Sequence, residues 1–142
     1  MALLSPADQD KLRASFAEMT SPVRLLFFTQ TLDCETCAQT RQILDELPPL
    51  SDKITIEEVN FILEKDKAAQ YGVDRVPAIA LANGDSDSRI RFLGAPAGYE
   101  FISLVQAVLL VGGRASNLTA ENLARVAAVD KATTIKVFTT PT

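Results

Sequence analysis

The chain has 142 residues, 47% apolar and 23% charged, with a formal net charge of −4, two cysteines, no histidine and no tryptophan. That size supports one compact domain with its own core. The acidic balance argues against a nucleic-acid or anionic-membrane partner, because both need a basic face to displace counterions.

The first residues, Met1 to Phe16, lack the basic start, apolar run and cleavage site of a signal peptide. No stretch approaches the roughly 18 apolar residues of a membrane span, so the expected location is the cytoplasm. Ser5, Pro6 and Asp8 form a helix-opening signal, with Leu12, Phe16 and Met19 on one stripe and Pro22 closing the piece. Val23 to Thr29, "VRLLFFT", is almost continuously apolar and predicts a strand buried on both faces. After the cysteines, Cys37, Ile43, Leu44 and Leu47 give a helical stripe that Pro48-Pro49 ends. Lys53 to Val59 predicts a second strand, and "EKDKAAQYG" a short helix stopped by Gly72. A helical crossover between the first two strands makes them parallel. "PAIALANG" predicts a third strand, Asn83-Gly84 a turn, and "RIRFLG" a fourth strand after a polar loop, antiparallel to the third. "YEFISLVQAVLLVGG" is an apolar helix stopped by Gly112-Gly113. The expected class is α/β: a mixed four-stranded sheet flanked by helices.

The tail predicts one more helix, capped by Thr119, with Leu118 and Leu123 as a hydrophobic staple, and then a strand at residues 134–140. Shifting the start by 111 positions sets Leu12 on Leu123, Phe27 on Phe138 and Thr29 on Thr140. The expected division is therefore 1–113 as a complete unit and 114–142 as the linker helix and first strand of a second, truncated copy. A lone strand presents unpaired edge groups, so it is expected to join a sheet edge in its own domain or to form a dimer through a neighbouring chain.

Cys34 and Cys37 are separated by Glu35-Thr36, between a buried strand and the predicted first turn of a helix. Helix N-termini present unpaired N–H groups and partial positive charge, which favour thiolate over thiol. A dithiol placed there can exchange disulfides. Cys34 attacks a substrate disulfide, and Cys37, one turn on, attacks Cys34 to release the reduced product. Asp33 and Glu35 oppose the thiolate and point to a reductant-leaning couple. An inert buried pair stays open, as does a zinc or iron–sulfur site shared between two chains, since one chain offers only two thiols.

Taken together, "LLFFTQTLDCETC", the following helix and strand, and "AAQYGVDRVPAIALANG" resemble the thioredoxin superfamily. More narrowly, "SPADQDKL", "FLGAPAGYEF" and the closing "VFTTPT" are similar to the N-terminal half of the protein disulfide oxidoreductases, or glutaredoxin-like proteins, which carry two such units in tandem. The resemblance implies a thioredoxin-like fold, with Cys34 as nucleophile, Cys37 as resolving thiol and a cis Pro77 walling the substrate groove. It implies that the Val76 backbone pairs with a substrate peptide like a strand. Arg75 is read either as a solvated charge or as a contact for an anionic substrate. The implied partners are protein disulfides or dithiols and a thioredoxin-reductase-like electron donor, with no cofactor and no metal. The chain departs from the thioredoxin pattern at Phe28, where a buried aspartate is usual, in lacking tryptophan, and in its Glu-Thr dipeptide. Two further readings are a non-catalytic docking or substrate-binding unit of a larger redox protein, and a glutathione-dependent glutaredoxin.

Overall fold

The computed structural model describes residues 2–140; Met1 and the last two residues of the expected second-unit opening, Pro141 and Thr142, lie outside it. Helix α1 (Pro6–Phe16) starts where the capping signal places it: Ser5 Oγ accepts from Asp8 N at 3.2 Å and donates to the Asp8 carboxylate at 2.6 Å. Phe16 is buried, and Met19 enters the core just after the helix ends. Strand β1 (Val23–Thr29) is the centre of a sheet ordered β2-β1-β3-β4. It pairs in parallel with β2 (Ile54–Asn60), from Val23 opposite Ile54 to Thr29 opposite Asn60. It pairs antiparallel with β3 (Ala78–Asn83), from Phe28 opposite Ala78 to Arg24 opposite Ala82.

Alternation along β1 builds two cores. Val23, Leu25 and Phe27 face Phe16, Leu44 of α2 (Cys37–Asp45) with Leu47 just after it, and Leu104, Val108 and Leu109 of α4 (Tyr99–Val111). Leu26 and Phe28 face the other way, onto Val59 and onto Ala68, Tyr71 and Val73 in and after α3 (Lys65–Gln70). The β3 residues alternate likewise: Ile79 and Leu81 fill the first core, and Ala78, Ala80 and Ala82 line the second. Small side chains there leave room for the Tyr71 ring, which lies 6.0 Å from Phe28 and carries the Arg91 guanidinium at 5.5 Å. Burying each large apolar side chain is worth about 1.5–3 kcal/mol, so β1 anchors both layers.

The hairpin is tighter than the sequence suggests. Strand β4 spans Ser86–Leu93, not Arg89–Gly94, and Asn83 pairs directly with Ser86 across Gly84-Asp85. Gly84 supplies the positive φ of 57° that such a short turn needs. Polar residues on this edge strand mask its start, and a register irregularity opposite Ala80/Ala82 breaks its alternation.

Helix α4 closes back on the entry to β1. Gly112 O accepts from Thr20 N at 2.9 Å and from Ser21 N at 3.1 Å. Beyond it, helix α5 (Ala120–Ala127) forms as expected, with Thr119 Oγ1 accepting from Asn122 N at 3.2 Å, but it buries no residue. The strand expected at 134–140 is not formed: Ile135, Val137 and Phe138 are 85%, 80% and 90% exposed. With no pairing strand beside it, that segment gains no ladder to offset the entropy of ordering it.

Two measurements test this architecture. Gly113 has φ 108°, and a Cβ there would collide with Thr20 Oγ1. Gly113→Ala is therefore expected to cost about 1–3 kcal/mol, read as a lower denaturant midpoint with an unchanged slope. Glu57 accepts from Arg24 at 2.7 Å and also from Lys67. The Lys67 hydrogen bond is the main cause that holds the Glu57 carboxyl below its usual range, against burial and with added attraction from Lys67 and Arg24. A lowered folded-state value contributes stability above the ordinary carboxylate range, which is lost as pH falls through the lowered value. Glu57→Gln is expected to give a shallower loss of stability on acidification than wild type, measured as urea midpoints across the acid range.

Candidate functional site

The parallel pairing of β1 with β2 sends the loops after both strands to one end of the sheet, and antiparallel β3 begins at that same end. The loop after β1 carries Cys34 and leads into α2, whose first residue is Cys37. The two are joined as a disulfide with Cα atoms 5.5 Å apart. Cys34 is half-buried and Cys37 is 6% exposed, so Cys34 is the more accessible sulfur.

The helix begins three residues later than the sequence suggests. Cys34 precedes α2, and Glu35-Thr36 form a turn in front of it. The N-cap residue Thr36 makes no side-chain capping bond, and no acidic residue occupies the first turn. The first-turn amides are thus left without a side-chain acceptor at the point where the sulfurs meet, and a thiolate formed there can take that role. Thr40, fully buried one turn on, donates from Oγ1 to Thr36 O at 2.8 Å and fixes the turn from inside.

Pro77 is buried immediately before β3, and the Val76–Pro77 peptide is cis. Its neighbour Ala78 lies opposite Phe28, so Pro77 sits level with the end of β1, where the chain turns toward the cysteines. Pro77 O accepts from Gly94 N at 2.9 Å. Val76 is half-buried, and among the described residues no backbone partner is seen for its N–H or C=O. Arg75 is exposed and forks onto Asp74 at 2.8 and 3.1 Å. That guanidinium holds the Asp74 carboxyl below its usual range, chiefly through the hydrogen bond.

Sequence reasoning did not single out Gln30 or the backbone of Asp33. Gln30 Nε2 donates to Leu32 O at 2.8 Å and to Asp33 O at 3.3 Å, and Asp33 has φ 55°. No pattern in the sequence marks Gln30 or the left-handed backbone of Asp33. The same end of the sheet carries exposed apolar side chains: Leu32 at 76% and Leu63 at 80%, with Ile62 and Leu93 about half exposed. Among the described residues no group of three or more histidine, cysteine, aspartate or glutamate side chains is placed to hold a metal, and no helix is long and apolar enough to cross a membrane.

No family model matches the chain. It is 33% identical over 121 residues to the AhpF component of alkyl hydroperoxide reductase from Escherichia coli, a match covering 84% of this chain and 21% of that protein. The chain thus spans only about a fifth of the reductase components it matches. It is 34% identical over 73 residues to a probable thioredoxin of Methanothermobacter thermautotrophicus, covering 51% of this chain and 80% of that protein. Among solved structures, the N-terminal domain of the Enterococcus faecalis alkyl hydroperoxide reductase AhpF superposes with TM-score 0.83 at 31% identity, covering 90% of this chain and 62% of that one. A protein disulfide oxidoreductase of Aeropyrum pernix superposes with TM-score 0.75 at 25% identity, covering 87% of this chain and 54% of that one. With a shared sheet, a strand-to-helix cysteine pair and a thioredoxin matched over most of its length, the chain belongs to the thioredoxin family of disulfide oxidoreductases.

Proposed function

We propose that this chain exchanges disulfides with protein substrates, with Cys34 as nucleophile and Cys37 as resolving thiol. The observation that carries the proposal is the disulfide itself, set between a half-buried Cys34 and a buried Cys37 at an uncapped helix start. In the reducing direction the Cys34 thiolate attacks one sulfur of a substrate disulfide. The substrate's other sulfur leaves as a thiolate, and a mixed disulfide to Cys34 forms. Cys37, deprotonated, then attacks Cys34 Sγ. The second substrate thiolate leaves, both substrate sulfurs take up protons, and the Cys34–Cys37 bridge is restored. Two electrons pass to the substrate in each cycle, and a reductase supplies a new pair that reopens the Cys34–Cys37 bridge to two thiols. Likeness to a protein named as part of a reductase supports a donor of that class.

An extended peptide is the substrate form that fits best. The unpartnered Val76 backbone offers strand-like hydrogen bonds beside Pro77, and Leu32, Leu63 and Leu93 supply apolar surface around it. Arg75, next to Val76 in the chain, is exposed and already forked onto Asp74. Residues 114–142 are read as the link into a second unit. The partial coverage of the longer Enterococcus and Aeropyrum chains supports that reading, as does the uncovered apolar side of α5 at Leu123 and Val126. A docking unit without catalysis is the competing reading, and it predicts activity indifferent to the cysteines.

The test is reduction of insulin disulfides by the dithiothreitol-supplied protein. Wild type is expected to accelerate precipitation of the insulin B chain, and Cys34→Ser to fall to the uncatalysed rate. Cys37→Ser is expected to accumulate a mixed disulfide with insulin, visible by mass spectrometry under non-reducing conditions. Equal rates for wild type and Cys34→Ser would establish the docking reading instead.

A further inference from the structure

We propose that Gln30 is a positioning residue for Cys34: its side-chain amide holds the Asp33–Cys34 peptide in an orientation the chain does not keep unaided. The inference rests on Cys34 being the reacting sulfur. Gln30 stands directly after β1, whose Phe28 is fully buried and paired to Ala78, so its backbone starts from a fixed point. From there one amide reaches two successive carbonyls, Leu32 O at 2.8 Å and Asp33 O at 3.3 Å. A primary amide has two N–H donors, which allows both bonds at once.

The Asp33 carbonyl belongs to the same peptide unit as the Cys34 N–H. That peptide is trans, since the cis bond found is Val76–Pro77, so its C=O and N–H point opposite ways. Holding Asp33 O toward Gln30 therefore directs the Cys34 N–H away from Gln30 and fixes the course of the chain through Cys34. The φ of 55° at Asp33 lies in the left-handed region, which aspartate tolerates better than most residues but never as freely as glycine. The Gln30 bonds oppose relaxation of that backbone. Without them Asp33 returns to negative φ, the Asp33–Cys34 peptide rotates, and the sulfur loses its set relation to the open first turn of α2. Asp33 and Glu35 are the charged neighbours on this loop, and both are exposed.

The test reads Cys34 directly, by the pH dependence of its alkylation with iodoacetamide in the reduced protein. Gln30→Met keeps the side-chain length and removes the donors. It is expected to raise the alkylation midpoint by about one pH unit, which is about a tenfold change in thiolate fraction, while the melting temperature stays near that of wild type. In the Asp33→Gly background, where left-handed backbone is unstrained, the same Gln30→Met change is expected to move the midpoint by less than a third as much. Asp33 is absent from both members of that second pair, so its charge cancels. Asp33→Val provides a check with opposite sign. Losing a negative charge alone would lower the midpoint, whereas excluding left-handed backbone raises it, and a rise is expected. An unmoved midpoint in Gln30→Met, an equal shift in the glycine background, or a fall in Asp33→Val would each overturn the proposal. Insulin turnover by wild type is scored separately. If it is absent while the midpoints move as stated, the oxidoreductase reading fails and the positioning role stands.

Discussion

The site depends on the immobility of β1. This strand is paired on both edges and buried on both faces, so it cannot shift without opening two cores at once. Interiors packed at this density transmit a displacement to their neighbours and do not absorb it. The last residues of β1 consequently act as a fixed mount for the cysteine loop. Phe28 serves both roles: it fills the core beneath α3 and sets the level at which Pro77 enters the sheet. A thioredoxin-like unit with phenylalanine there gives up a buried titratable group and gains an apolar anchor under its reactive end.

The polar side chains divide along the same lines. Arg24, Glu57, Lys67, Arg91 and Asp87 occupy the α3 side, where they are partly exposed and paired with one another. Arg91 also donates to Tyr71 O at 3.0 Å, fastening the end of α3 to the edge strand β4. The cysteine end has the Arg75–Asp74 fork and the Arg41–Glu58 pair. Its main chain is held by backbone-directed bonds as well: Gln30 to the loop carbonyls, Thr40 to Thr36, Gly94 to Pro77, and Asn60 Oδ1 accepting from Ile62 and Leu63 N at 3.0 Å each. Such bonds fix main-chain shape without adding charge beside the sulfurs, which suits a group whose reactivity depends on local potential.

Much of the fold is legible in the sequence because its signals are local. Ser5-Pro6 with Asp8 can scarcely be anything but a helix start, and "VRLLFFT" between a proline and a polar turn reads as an inner strand. "PAIALANG", ending on an Asn-Gly turn, reads as a third strand. Cys34 and Cys37 are conspicuous for the same reason, being the only thiols in the chain. What escaped depends on contacts between distant residues or on backbone angles. The start of β4 is concealed by Asp87 and Ser88, which are polar because an edge strand meets water. The start of α2 is misplaced because Cys34 looks like helix while Glu35 and Thr36 turn. The strand at 134–140 is a correct reading of composition that fails for want of a partner. Asp33 is visible as a charge, but its relation to Gln30 is not, since that relation exists only once the loop has folded back.

The clasp between Gly112 and Thr20-Ser21 also has a bearing on what lies downstream. It fastens the end of α4 beside the point where β1 enters the sheet, which is the pole opposite the cysteines. Seven extended residues separate the two poles, or about 20 Å at the usual rise of a strand. Arg114 therefore leaves the body on the far side from its sulfurs, yet by Lys136 the chain has come back within electrostatic reach of Asp74, which adjoins Arg75 and Val76 at the cysteine end.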